Sequence, residues 1–205
     1  MTAADVAPEP VENSSAGSGA RRGPYGVAAE DYWALGWRGL LPIVPGPRKR
    51  PYIAGHHGGP ANPDTSRADL QTCLDEFGHA NIGLRLPETV IGVDVDDYDD
   101  KHGGRTLDEA ERRWGALPAT WMSTARVDGS GIRFFTVPAD LAFKSEIAFE
   151  IDGSRSADVE LIWRGHRFVV VAPSMHKTGT EYRWLEPDGF PADRLPSPDE
   201  FAALP

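Results

Sequence analysis

The run Val90-Ile-Gly-Val-Asp94-Val-Asp96-Asp-Tyr-Asp-Asp100 places acids at alternate positions of a stretch whose other residues read as a buried strand. Strand side chains alternate between faces, so Val93 and Val95 point one way and Asp94 and Asp96 the other, about 6.6 Å apart at roughly 3.3 Å per residue. A bare pair of this kind repels and raises one of its pKa values; a divalent cation removes that penalty, and hard oxygen ligands suit Mg2+ or Mn2+. A second reading stands beside the metal site. Asp97, Asp99, Asp100 and Gly103-Gly104 follow at once, as they would where a strand runs out into a solvated acidic turn. Val159-Glu160-Leu161-Ile162 repeats the pattern with one carboxylate between apolar residues, which is either a functional acid or the wet face of an amphipathic strand. The strongest basic cluster is Gly46-Pro-Arg48-Lys49-Arg50-Pro51, a phosphate-binding or a plain solvated loop. His56 and His57 lack a matching third ligand and read as surface residues.

These residues need elements to position them. The acidic strand Val90–Asp96 follows Asn81–Leu86 after Pro87-Glu88-Thr89, which suggests a β-hairpin. Trp121–Arg126 and Ile132–Val137 flank Asp128-Gly129, a strong hairpin turn that brings Ser130 and Arg133 to the mouth of a strand pair. Leu40–Pro45, Ile147–Ile151, Val159–Ile162, Phe168–Ala172 and Tyr182–Trp184 read as further strands. Three helices are expected: one over Val27–Trp37, one after Thr65-Ser66 with Leu70, Cys73, Leu74 and Phe77 on one face, and one from a Thr106/Glu109 capping box to Trp114. Cys73 lies on an apolar stripe and reads as core, not nucleophile. Hairpins with interspersed helices indicate an α+β fold.

A chain of 205 residues suits one core with appendages: a disordered tail over 1–24, rich in Ala, Pro, Ser, Gly and Glu, a domain over 25–186, and a Pro- and Asp-rich C-terminal arm or linker over 187–205. No apolar run reaches the roughly 18 residues of a membrane helix, and no signal peptide is visible, so no membrane partner is expected. One cysteine excludes an internal disulfide framework and a cysteine-rich zinc cluster, which fits a cytoplasmic location. The net charge of -10 argues against a surface that embraces nucleic acid everywhere and leaves that task to local basic patches.

Taken in order, Gly-Val-Asp94-Val-Asp96, Ser130-Gly-Ile-Arg133-Phe-Phe, Val-Glu160-Leu-Ile and the run Arg164-Gly-His166-Arg167 to Val-Val-Ala-Pro-Ser174-Met-His176-Lys177-Thr-Gly-Thr-Glu-Tyr-Arg-Trp184 resemble the bifunctional DNA primase/polymerase domain of the archaeo-eukaryotic primase superfamily. The resemblance spans roughly Ala28 to Trp184. It implies an RNA-recognition-like sheet packed with a second small α/β layer, and two-metal nucleotidyl transfer in DNA replication with Asp94, Asp96 and Glu160 as metal ligands. Ser130, Arg133, His166, Arg167, Ser174 and His176 are then expected at the nucleotide, and Lys49 and Arg50 at a single-stranded DNA template. Arg126 and Lys177 are further candidates for holding phosphates. Many relatives end the second motif in His; here Arg133 stands in that region, and a guanidinium forks onto phosphate oxygens. Nucleoside triphosphates are the implied substrates. With no Gly-x-x-x-x-Gly-Lys-Ser/Thr motif, unwinding is expected from a separate helicase. A non-catalytic module that binds DNA or a helicase is the alternative reading.

Overall fold

The computed structural model describes residues 23–54 and 62–204; most of the expected tail, with His56 and His57, lies outside them. Helix α1 spans Pro24–Ala34, with proline in the first turn, where its missing N–H is no loss, and buries Tyr25, Ala28, Ala29 and Tyr32 along one stripe. Helix α2, Arg67–Phe77, begins at the expected cap. The Ser66 hydroxyl accepts from the Asp69 N–H, and the Asp69 carboxylate accepts from the Ser66 N–H. Its buried residues are Leu70 and Cys73, so the thiol is a core group.

Two sheets form, antiparallel except for one late strand. The smaller has the order β1 (Leu40–Ile43), β2 (Asn81–Leu84), β8 (Val169–Val171). The larger runs β6 (Glu146–Ile151), β7 (Ser154–Ile162), β3 (Val90–Val95), β5 (Gly131–Thr136), β4 (Met122–Thr124), β9 (Arg183–Leu185). The expected β2–β3 hairpin is absent. Asn81–Leu84 is buried throughout and pairs with β1 and β8, so Arg85–Thr89 carries the chain from one sheet to the other. A strand buried on both faces requires cover on both sides, which a two-stranded hairpin would not supply. The β4–β5 hairpin forms as expected, pairing Met122 with Arg133 and Ser123 with Ile132.

The two faces of β3 enter different cores. Val90 packs with Ile132, Phe134 and Ile162 among the residues of α1, α2 and the small sheet. Ile91, Val93 and Val95 pack with Phe135, Val137 and Val159, against Leu107 of helix α3 (Gly103–Trp114). The Thr106/Glu109 capping box does not form. His102 is the N-cap, Thr106 is buried with its hydroxyl against Ser156 (2.8 Å) and the Ala157 carbonyl, and Glu109 pairs with Arg112 and Arg113. The i, i+3 pattern was met by a helix that starts one turn earlier and turns Thr106 inward.

The segment from Pro187 onward, expected to trail away, returns to the domain. Phe201 is buried among Trp37, Phe134 and Trp184, with ring centroids 5.2 Å apart from Phe134. Strand β10 (Ala202–Ala203) then adds in parallel to β5. A single aromatic residue among prolines and acids carries no periodic signal, yet it fills a core position. No helix among the described residues is long and apolar enough to cross a membrane.

Candidate active site

On β3, Gly92 and Asp94 share a face, and the register sets Asp94 beside Glu160 on β7 and beside Ile132 on β5. A Cβ on Gly92 would stand 2.8 Å from the Ile132 methyl, so only glycine allows the cover to close there. Two residues on, the cover ends. Asp94 and Asp96 then line an open cleft between the sheets, together with Lys49, Arg126, His176 and Tyr182. Gly103 lets α3 begin directly against the end of β3: its N–H donates to the Asp96 carbonyl at 2.8 Å, and a Cβ would lie 2.6 Å from that oxygen.

The carboxylates are crowded and countered. Asp94, its side chain 18% exposed, has its pKa pushed up to about 6, first by burial and then by Asp96, with Glu160 adding to both and Arg167 and Lys49 opposing. Arg167 Nη2 bridges the two paired strands, 2.9 Å from Asp94 Oδ2 and 2.5 Å from Glu160 Oε2. His166 lies between two acceptors, with Nδ1 3.1 Å from the Leu161 carbonyl and Nε2 3.3 Å from Glu160 Oε1. Lys101 pairs with Asp96.

The opposite wall is cationic. Lys49 Nζ donates to the Tyr182 hydroxyl at 2.8 Å, and Arg126 stacks on Tyr98 at 3.8 Å while pairing with Asp128 at 2.7 Å. His176 sits edge-on to Tyr182, and its pKa is lowered by burial and then by Lys49, Lys177 and Arg126. Neutral at ordinary pH, it offers a ring hydrogen bond rather than a charge. A cleft with acids on one side and Lys49, Arg126 and Lys177 on the other suits a substrate that carries both a cation and a polyphosphate.

The expected site residues therefore divide. Asp94, Asp96, Glu160, His166 and Arg167 come together; Lys49 and His176 face them across the cleft. Ser130 lines the cleft but works on the backbone: it is buried, and its Oγ accepts from the Asp97 N–H at 2.9 Å, fixing the end of the acidic strand. Ser174 is fully buried away from the cleft, where its hydroxyl accepts from the Ile82 N–H (2.8 Å) and donates to the Ile82 carbonyl (3.2 Å), pinning β2. Arg133 pairs in register with Val93, not Asp94, so it emerges on the α3 face and lines a different cavity with Glu111, Leu117 and Leu185. Arg50 is exposed, its carbonyl accepting from Val44 N–H. Lys101 and Tyr182 were missed; the turn after Asp96 read as solvent, and Tyr182 as one residue of a strand.

Among the described residues no group of three or more His, Cys, Asp or Glu side chains is gathered closely enough to hold a metal ion. The donor chemistry nevertheless fits a hard divalent cation: Asp94 of β3, Asp96 just past its end and Glu160 of β7 offer oxygen ligands, and Asp94 is pushed up by burial and then by Asp96. In the structure Arg167 and Lys101 supply the countercharge.

Against known proteins, a family model described as bifunctional DNA primase/polymerase, N-terminal, matches residues 29–205. No curated protein and no solved structure matches the chain.

Proposed function

Because the chain belongs to the bifunctional DNA primase/polymerase N-terminal family, we propose that it performs template-dependent nucleotidyl transfer in DNA replication, at the cleft lined by Asp94 and Asp96, with Glu160 beside Asp94 on the neighbouring strand. The observation that carries this reading is the register that sets Asp94 beside Glu160 on neighbouring strands, with Asp94 in a cleft that Lys49, Arg126 and Lys177 also line. Asp94, Asp96 and Glu160 would hold Mg2+ or Mn2+. Such ions, when bound, lower the pKa of an attacking 3′-hydroxyl and stabilise charge on the leaving pyrophosphate.

The chain's own residues do the rest. Lys49, Arg126 and Lys177 attract and orient the triphosphate of a nucleoside triphosphate, contacts that position and carry no sequence information. The neutral His176 ring and the Tyr182 hydroxyl give that wall fixed hydrogen-bonding groups. Arg167 holds Asp94 and Glu160 in line, and His166, oriented by the Leu161 carbonyl, presents Nε2 to Glu160. Template choice is left to base pairing with single-stranded DNA, and a separate helicase supplies unwinding.

A second reading has one observation in its favour. Arg167 and Lys101 already neutralise the acids, as they would in a replication module that binds DNA or a helicase without catalysis. Primer extension on a single-stranded template with labelled deoxynucleotides and Mn2+ or Mg2+ separates the two. Wild type should extend, and Glu160→Gln should not. A wild type that extends nothing, while binding the template undiminished, returns the domain to the binding class.

A further inference from the structure

The approach to β3, at the end away from the acids, borders a second cavity of about 240 Å3, lined by Trp37, Arg38, Asp64, Arg85, Thr89 and Arg164 among others. Arg85 is the unusual member. Its side chain is 1% exposed, its Nη2 donates to the Pro63 carbonyl and to Asp64 Oδ1 (3.2 Å), and its Nε and Nη1 are buried with no hydrogen-bond partner among the described residues. Buried, charged N–H groups without acceptors are strongly unfavourable.

Arg164, 14% exposed, shares the same Asp64 oxygen at 2.9 Å and donates to the Asn62 carbonyl at 3.3 Å. Its Nε has no hydrogen bond, with the Glu88 carboxylate 3.7 Å away. Two guanidinium groups thus lean on one half-exposed carboxylate, while Arg38 adds a third cation at the rim, stacked on Trp33 at 4.2 Å. Burial, and then Arg164, lower the pKa of Arg85 while Asp64, which it shares with Arg164, opposes them; Asp199 is the other acid on the cavity wall. Three guanidinium groups share the cavity, and a tetrahedral oxyanion accepts from several N–H groups at once with a geometry that a guanidinium fork matches.

We propose that this cavity is a phosphate-binding site, holding one phosphoryl group through the unpartnered N–H groups of Arg85 and Arg164. The phosphate is either free or part of a polynucleotide backbone. Arg164 stands three residues before Arg167, within about 10 Å of chain reach, so a strand that threads the acidic cleft passes near it.

The test uses the full chain in chloride buffer of fixed ionic strength and does not depend on nucleotidyl transfer. Orthophosphate is titrated by calorimetry and by melting, with wild type, Arg164→Gln and Arg38→Gln, each checked for fold by circular dichroism; Arg85→Met is added if it folds. Saturable one-to-one binding that Arg164→Gln weakens at least tenfold is the expected result. A thymidine oligonucleotide forms the second arm. If the backbone is the source, Arg164→Gln reduces the slope of log K against log salt by about 0.7. An unchanged slope with lost orthophosphate binding assigns a free phosphate. Wild type that binds no orthophosphate, together with oligonucleotide binding that Arg164→Gln leaves untouched, overturns the site.

Discussion

Asp94→Asn isolates the cost of the charge at the centre of the cleft. The folded pKa of Asp94 is raised to about 6 from an ordinary 3.8, so the folded state binds the proton more tightly than the unfolded chain. Stability carried by this group is therefore fully present below pH 3.8 and is lost as pH rises through 6. The total is the shift multiplied by about 1.36 kcal/mol per unit, close to 3 kcal/mol as an order of magnitude, and the side chain is only 18% exposed, so solvent screening is modest. Asparagine mimics the neutral acid. In metal-free buffer the variant should be more stable than wild type by about 3 kcal/mol at pH 8, and by about 1 kcal/mol at pH 4.5. For a chain of this size the gap at pH 8 corresponds to a melting temperature roughly 6–12 °C higher. Saturating Mn2+ should reverse the order, because it favours only the chain with the full set of acids. Melting curves from pH 4 to 8, with EDTA and with Mn2+, supply the readout. A difference between the proteins that does not change with pH would show that Arg167 already neutralises Asp94, and the crowding argument would fail.

Three further outcomes follow from the placement of other residues. Lys49→Met should raise the Michaelis constant for nucleotide about tenfold with a smaller change in kcat, whereas Arg133→Ala, on the far face, should leave that constant unchanged; the reverse pattern in steady-state extension would refute the assignment of faces. Ser174→Ala should cost about 1–3 kcal/mol in urea unfolding, since the buried Ile82 N–H loses its acceptor, with nucleotide affinity intact. Phe201→Ala should cost about 3–5 kcal/mol, and a loss below about 1 kcal/mol would mean that the C-terminal segment is not part of the core.

The sequence exposed the chemistry of the site more readily than its walls. Period-two alternation alone put Asp94 and Asp96 on one face, and the strand around Glu160 was recognisable, but the register that sets Asp94 against Glu160 depends on pairing between distant segments. The same parity rule, applied across β5, separates Arg133 from the acids: its neighbour Ile132 faces Asp94, and a one-residue step turns a side chain to the other side of the sheet. Proximity to a turn was a poor guide there. Ser174 lies in a motif that resembles a nucleotide-binding run, yet its hydroxyl serves the backbone of β2, a role that only the assembled small sheet reveals. The assignment of β2 to that sheet escaped notice because two apolar strands joined by a short turn look the same whether they pair or part. The α+β class and most strands were legible because hairpins and helices leave local patterns; partnership between sheets does not.

The strand order has a consequence for how the domain is made. Neither sheet is complete until late segments arrive: β8 closes the sheet begun by β1 and β2, and β7 pairs with the edge of β3 opposite β5. Loop closure over such separations must be met before the contacts reward it, so folding should be slow relative to a helical bundle of equal length. During synthesis, β1, β2 and β3 emerge with open edges and wait for partners that the ribosome has yet to release. A nascent domain halted before Val169 holds β3 with both of its partners, β5 and β7, but leaves one edge of β2 without β8.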